Sequence, residues 1–202
     1  LRLGGFPGRG VRAPGPESFF PKTMTLTLAT LLMAAALLAL GGVLLWRGAA
    51  AVGFLRAHLR SQAAAGVLFG VAAAWFLYYV LNLGPADFGQ YRHLLFILFG
   101  AVALSSFFYV KDFLAVRGGA ILYLLIAAQL LQAAFGHWEI PQRLFLVTLV
   151  YAGIVAALYL GTVPYRMRDL LDWLQPRAAL VRAAGGVSAG YGALLLVLAL
   201  TY

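Results

Sequence analysis

Cysteine is absent from all 202 residues. Disulfide bonds, thiolate metal sites and thiol nucleophiles are therefore excluded. Charge is scarce: 10% of residues are Asp, Glu, Lys or Arg, against about 25% in an ordinary soluble domain. Six acidic residues and three histidines leave little material for acid–base or metal chemistry. The long apolar runs contain no internal proline and no ionisable group at mid-depth. Coupled transporters use midplane carboxylates or broken helices, so this pattern argues against one. There is no P-loop, serine nucleophile elbow, HExxH pair, dense aspartate motif or histidine-rich iron box, and no cofactor is expected.

What fills the chain instead is hydrocarbon. Apolar residues make up 63% of it, and the mean hydropathy is +0.91. Six apolar stretches cover residues 25–46, 63–83, 94–110, 118–135, 144–163 and 184–202. At 1.5 Å per residue each is long enough for a helix to cross about 30 Å of bilayer core. The stretches do not alternate polar with apolar, as barrel strands do. A spanning helix also satisfies its backbone groups without water. The expected fold is all-α: a polytopic membrane helix bundle with six transmembrane helices.

The net charge of +9 raises the question of nucleic acid. No basic soluble module is present to bind it, so no nucleic acid is expected as a partner. The cations instead sort by side. Arg47, Arg56, Arg60, Lys111, Arg117, Arg166, Arg168, Arg177 and Arg182 follow the first, third and fifth runs. Only Arg92 and Arg143 fall on the other side. The positive-inside rule then places the nine in the cytoplasm and both termini outside, in a cell inner membrane crossed several times.

Residues 1–23 are rich in Gly, Pro and Arg, lack apolar periodicity, and read as a disordered leader to a membrane domain over 24–202. Arg2, Arg9, Arg12 and Lys22 would put four cations on the outer side, against the rule. A true start at Met24 removes that conflict. Trp46, Tyr91, Trp138, Tyr165 and Trp173 sit at run ends, where amphipathic rings settle among headgroups.

Residues 164–176, PYRMRDLLDWLQP, place Met167, Leu170, Leu171 and Leu174 on one helical face, with prolines bounding the segment. The spacing predicts a short interfacial helix, with Arg168 and Asp172 four apart and able to pair. Residues 52–60 predict a second such helix or an extension of the first span. Three out-and-back hairpins are expected, each return helix opening on small residues.

Several residues are candidates for more than support. GxxxG pairs at Gly66–Gly70 and Gly186–Gly190 suit close helix packing, within the chain or between copies. Gln129 and Gln132, with Ser105, Ser106 and several tyrosines, could line a polar path. On the inner face, Asp112, Asp169 and Asp172 are candidate catalytic carboxylates. Arg166 and Arg168 beside them are candidate headgroup binders. On the outer face, Asp87, His93, His137 and Glu139 have metal-ligand chemistry but match no metal signature.

Stretches such as KDFLAVRGGAILYLLIAAQLL and VPYRMRDLLDWL resemble the small, alanine- and leucine-rich polytopic proteins of bacterial inner membranes. The resemblance is one of composition and topology, and it implies the helical fold but no activity. The expected role is therefore non-enzymatic: a structural, assembly or lipid-interacting component. Its partners would be membrane lipids, with a membrane-protein partner or a homo-oligomer as further options. The rivals are a small transporter or channel, and an enzyme acting on lipid or isoprenoid headgroups.

Overall fold

The computed structural model describes residues 24–59, 61–109 and 113–201. The leader 1–23, Arg60, Lys111 and Asp112 lie outside these, and with them the readings placed on the leader and on Asp112. Among the described residues the regular structure is helical: α1 (Leu26–Arg47), α2 (Ala49–His58), α3 (Gln62–Leu81), α4 (Arg92–Tyr109), α5 (Leu114–Ala134), α6 (Arg143–Thr162), α7 (Tyr165–Leu174) and α8 (Ala178–Ala199). Two 3-10 turns, Pro85–Asp87 and Gly89–Tyr91, join α3 to α4. The six long helices are all apolar enough to cross a membrane. The chain is a multi-pass membrane protein built as an all-α bundle.

Local chemistry sets the helix ends. Thr25 caps α1, its hydroxyl accepting from the Leu28 N–H at 3.2 Å, and Ser61 caps α3 in the same way at 3.3 Å. Gly48 has φ +44°, which a side chain would make costly. It ends α1 and starts α2 in a new direction, so residues 52–58 belong to a separate helix and do not extend the first span. Asn82 closes α3, its side-chain amide donating to the Tyr78 carbonyl at 2.7 Å.

The antiparallel pair α1 and α8 makes the most extensive contact. Backbones meet where side chains are missing. A Cβ on Gly41 would stand 2.6 Å from the Ala189 nitrogen, and one on Gly192 3.0 Å from the Leu38 nitrogen. The Ser188 hydroxyl donates to the Leu37 carbonyl at 3.0 Å across the same seam. In lipid such close approach supplies the dispersion and polar contacts that hold helices together.

The other four spans form a row, α4–α3–α5–α6. Gly118 of α5 lets the helix lie on Phe69 of α3, where a Cβ would meet the Phe69 nitrogen at 2.5 Å. Phe69 and Phe76 make edge-to-face contacts with Phe107 and Phe99 of α4, both at 5.2 Å. Helix α4 buries none of its own residues. The two spans of each expected hairpin are thus not the main partners: α1 pairs with α8, and α5 packs on both α3 and α6. The hairpins describe the route of the chain, while the packing follows other pairings.

Two apolar clusters tie the pair to the row. At one end Leu26 and Ala29 of α1 pack with Ala127, Leu130 and Ala134 of α5 and Leu146 and Val150 of α6. At the other end Val52 and Leu59 join Phe113, Leu171 and Val181. This second cluster brings α2 and α7 together beneath the starts of α5 and α8. Arg47, Arg56, Arg117, Arg166, Arg168, Arg177 and Arg182 all belong to this end of the bundle. Helices α2 and α7 make a collar there.

Within α7, Leu171 is buried and Met167 and Leu174 pack on the cluster as the periodicity requires. Leu170, placed on the same face from sequence, is instead 46% exposed. The face seated on the bundle is narrower than the apolar stripe.

Candidate functional site

The charged residues of the collar pair locally. Arg56 of α2 forms an ion pair with Asp172 of α7 at 2.5 Å and donates to the Gln175 side-chain carbonyl at 3.2 Å. Arg168 pairs with its neighbour Asp169 at 3.1 Å. The expected Arg168–Asp172 pair is therefore not made: packing of α2 on α7 offers Asp172 a tertiary partner. Arg166 lies over the Tyr165 ring, 5.6 Å from its centroid. Arg177 donates to the Trp173 carbonyl at 2.5 Å and stacks on that ring. Asp169 and Asp172 are each engaged by a different arginine. Both are more than one-third exposed, so solvent screens these pairs strongly.

The polar residues inside the spans also separate. The Gln129 amide donates to the Tyr79 hydroxyl at 2.7 Å, linking α5 to α3. Gln132 faces the other way, into a recess at the far end of the bundle that it shares with Thr25, Thr27 and His137. Ser105 and Ser106 both donate to the Val102 carbonyl within α4, at 2.9 and 2.8 Å. Tyr191 of α8 donates to the Phe145 carbonyl of α6 at 2.9 Å. Asp87, His93, His137 and Glu139 form no metal-holding group of three among the described residues. Arg143, at the same end, donates to the Ala134 carbonyl at 3.1 Å and stacks on Trp138, stapling the α5–α6 turn.

The GxxxG glycines do not mark the close approaches within this chain. A Cβ on Gly66, Gly70, Gly186 or Gly190 would meet no atom within 4 Å. The intimate contacts fall at Gly41, Gly185, Gly192 and Gly118, which no four-residue glycine spacing picks out.

A cleft of about 410 Å³, open to its surroundings, lies at the collar end and is shared by several helices. Helices α2, α3, α5, α6 and α7 all contribute to its wall. Leu55, Leu59 and Met167 line it beside the short helices, and Leu68, Val116, Gly119, Ala120 and Ala157 line it along the spans. Of the lining residues, Tyr123 on α5 and Gly153 on α6 are farthest along those helices from the collar. The Tyr123 ring fits because position 153 has no side chain; a Cβ there would fall on the phenol oxygen. From Ala115 to Tyr123 the lining runs along α5 for about 12 Å at 1.5 Å per residue. That is close to the depth of one leaflet, half of the roughly 30 Å core.

Among the lining residues only His58 and Tyr123 carry polar side-chain atoms. The Tyr123 hydroxyl is directed at the Val150 carbonyl, 3.4 Å away. His58 Nδ1 lies 2.8 Å from the Phe54 carbonyl, which can only accept, so Nδ1 carries the proton. In the neutral ring Nε2 then presents a lone pair. His58 was not singled out from sequence. The available signal was that it is the one histidine among the basic connections, and that its i−4 neighbour Phe54 packs on it at 4.1 Å.

No family model, curated protein or solved structure matches the chain.

Proposed function

We propose that this protein is a non-enzymatic, lipid-interacting structural component of a bacterial inner membrane, with its collar end in the cytoplasm and both termini outside. The observation that carries the reading is the collar. Two short helices close the basic end of the bundle through Val52, Leu59, Phe113, Leu171 and Val181. Seven arginines of the described residues belong to this end of the bundle, against two carboxylates that are already paired. Anionic headgroups of the inner leaflet attract such a surface, by about 1 kcal/mol per cation near the membrane plane. Helix α7 carries its apolar side toward the bundle and its arginines outward, the arrangement of an interfacial helix.

A transporter would need Gln129, Gln132 and the hydroxyls on one path, and a headgroup enzyme would need converging carboxylates. In the described residues Gln129 is bonded to Tyr79, Ser105 and Ser106 to the Val102 carbonyl within α4, and Asp169 and Asp172 to two different arginines, so no specific observation favours either rival.

The test is thermal unfolding of the purified full chain in neutral detergent, titrated with phosphatidylglycerol or phosphatidylcholine of the same chains. Phosphatidylglycerol should raise the midpoint more, and the difference should shrink as salt rises. Arg166→Gln with Arg168→Gln should reduce it. Equal stabilisation by both lipids at low salt refutes the collar reading. Reporter fusions after Arg168 test the orientation, and activity only on the outer side overturns it.

A further inference from the structure

We infer that the collar-end cleft is a binding site for one anionic glycerophospholipid, which places an acyl chain between α3, α5 and α6 and its headgroup at His58. The inference rests on the lipid-interacting reading and narrows it from a surface to a site.

Three observations define the occupant. The first is depth. The wall runs about 12 Å from the interfacial helices to Tyr123, the reach of a chain within one leaflet. The second is lining. Gly119, Ala120, Ala156 and Ala157 keep the wall shallow, and the volume of about 410 Å³ is apolar apart from the two residues named above. A polar solute finds few partners there, whereas a hydrocarbon chain needs none. The third is charge at the same end of the bundle. Arg117 and Arg166 do not line the cleft themselves, but they adjoin its lining residues Val116 and Met167 in the chain and have no carboxylate within ion-pair distance among the described residues. A phosphodiester supplies the missing anion.

His58 adds a directional element. With Nδ1–H committed to the Phe54 carbonyl, Nε2 is left to accept a hydrogen bond from a headgroup hydroxyl. Phosphatidylglycerol offers both the phosphate and the hydroxyl. Phosphatidylcholine offers the phosphate but carries a compensating cation and no hydroxyl. Free oleate offers a chain and a carboxylate alone.

The test uses the full chain, purified in detergent, delipidated and exposed in turn to phosphatidylglycerol, phosphatidylcholine or oleate. Bound lipid is counted by native mass spectrometry. One phosphatidylglycerol should remain at detergent levels that strip the rest, with about fivefold preference over phosphatidylcholine for each cation engaged. Gly119→Leu should abolish that retained lipid. Its side chain has room to enter the cleft, because a Cβ at 119 meets only Leu68 Cδ1, at 3.9 Å. Ala156→Leu, from the opposite wall, provides a second filling variant if the first does not fold. His58→Ala should lower the preference for phosphatidylglycerol over phosphatidylcholine while leaving oleate retention unchanged.

Retention of one phosphatidylglycerol by a folded filling variant, as by the parent, overturns the site. So does equal retention of oleate and phosphatidylglycerol, or co-purification of a second copy or another helix in the cleft. The collar reading is tested separately, by the salt-dependent midpoint shift. That shift should persist in Gly119→Leu if the collar acts on the leaflet as a whole.

Discussion

The seam between α1 and α8 makes a quantitative prediction at Gly41. In Gly41→Ala the new methyl group would stand 2.6 Å from the Ala189 nitrogen and 2.7 Å from the Gly185 oxygen, both backbone atoms that cannot rotate away. Ordinary contact begins near 3.4 Å, so the helices must separate locally by 0.8 Å. A radial gap of about 0.5–1 Å forfeits a quarter to a half of each dispersion contact it opens. Neighbouring contacts at Gly185 and Gly192 loosen with it. Overpacking of this kind costs about 1–3 kcal/mol. Gly190→Ala, on another face of α8, meets nothing within 4 Å and should be as stable as the parent or more stable by up to about 1 kcal/mol. Both variants gain the helix propensity of alanine, up to about 1 kcal/mol, so the difference between them isolates packing. Unfolding in mixed micelles of rising dodecyl sulfate fraction measures it. If Gly41→Ala unfolds like Gly190→Ala, the α1–α8 seam is not as described.

Leu146 is fully buried where α1, α5 and α6 meet, and Leu146→Ala should cost about 2 kcal/mol in the same assay. That is the low end for such truncations, because lipid competes for apolar surface as water cannot. Leu98→Ala on the exposed face of α4 should change little. Gln129→Leu removes the bond to Tyr79 and should cost about 0.6 kcal/mol, with a double-mutant cycle against Tyr79→Phe reporting the coupling. Arg56→Ala separates α2 from Asp172. Because these side chains are 50% and 38% exposed, the loss should stay below about 1 kcal/mol and shrink in high salt.

The six spans were legible in the sequence because lipid demands length and apolarity, and both are counted directly from residues. The starts of α5 and α8 were read too late. The sequence reading began them at Gly118 and Ala184, whereas the helices begin at Leu114 and Ala178. Arg117 and Arg182 were taken as loop, but a long cationic side chain can leave its backbone in the helix and extend its head to the interface. The break at Gly48 was left open, since glycine permits positive φ without requiring it.

Helix partners were not legible. A helix in lipid is apolar on every side, so no polar face indicates which side turns inward. Only small residues carry that information, and with 23 glycines there are many candidate seams. GxxxG pointed to Gly66 and Gly190, while Gly41 and Gly118 make the contacts. The ion pair of Asp172 failed for a related reason. The i,i+4 rule sees only α7 and not α2, which folds against it. His58 was hidden because its position is set by the turn at Gly48 and by α7, both distant from any motif.

The α1–α8 seam also sets an order of assembly. Ser188 and Leu37, hydrogen-bonded across it, are 151 residues apart in the chain. At about 5–20 residues synthesised per second, α1 waits roughly 8–30 s before its partner emerges. During that interval its line of small residues is open to any passing helix, so a chaperone or insertase that shelters nascent spans would have its longest client interval with this first helix.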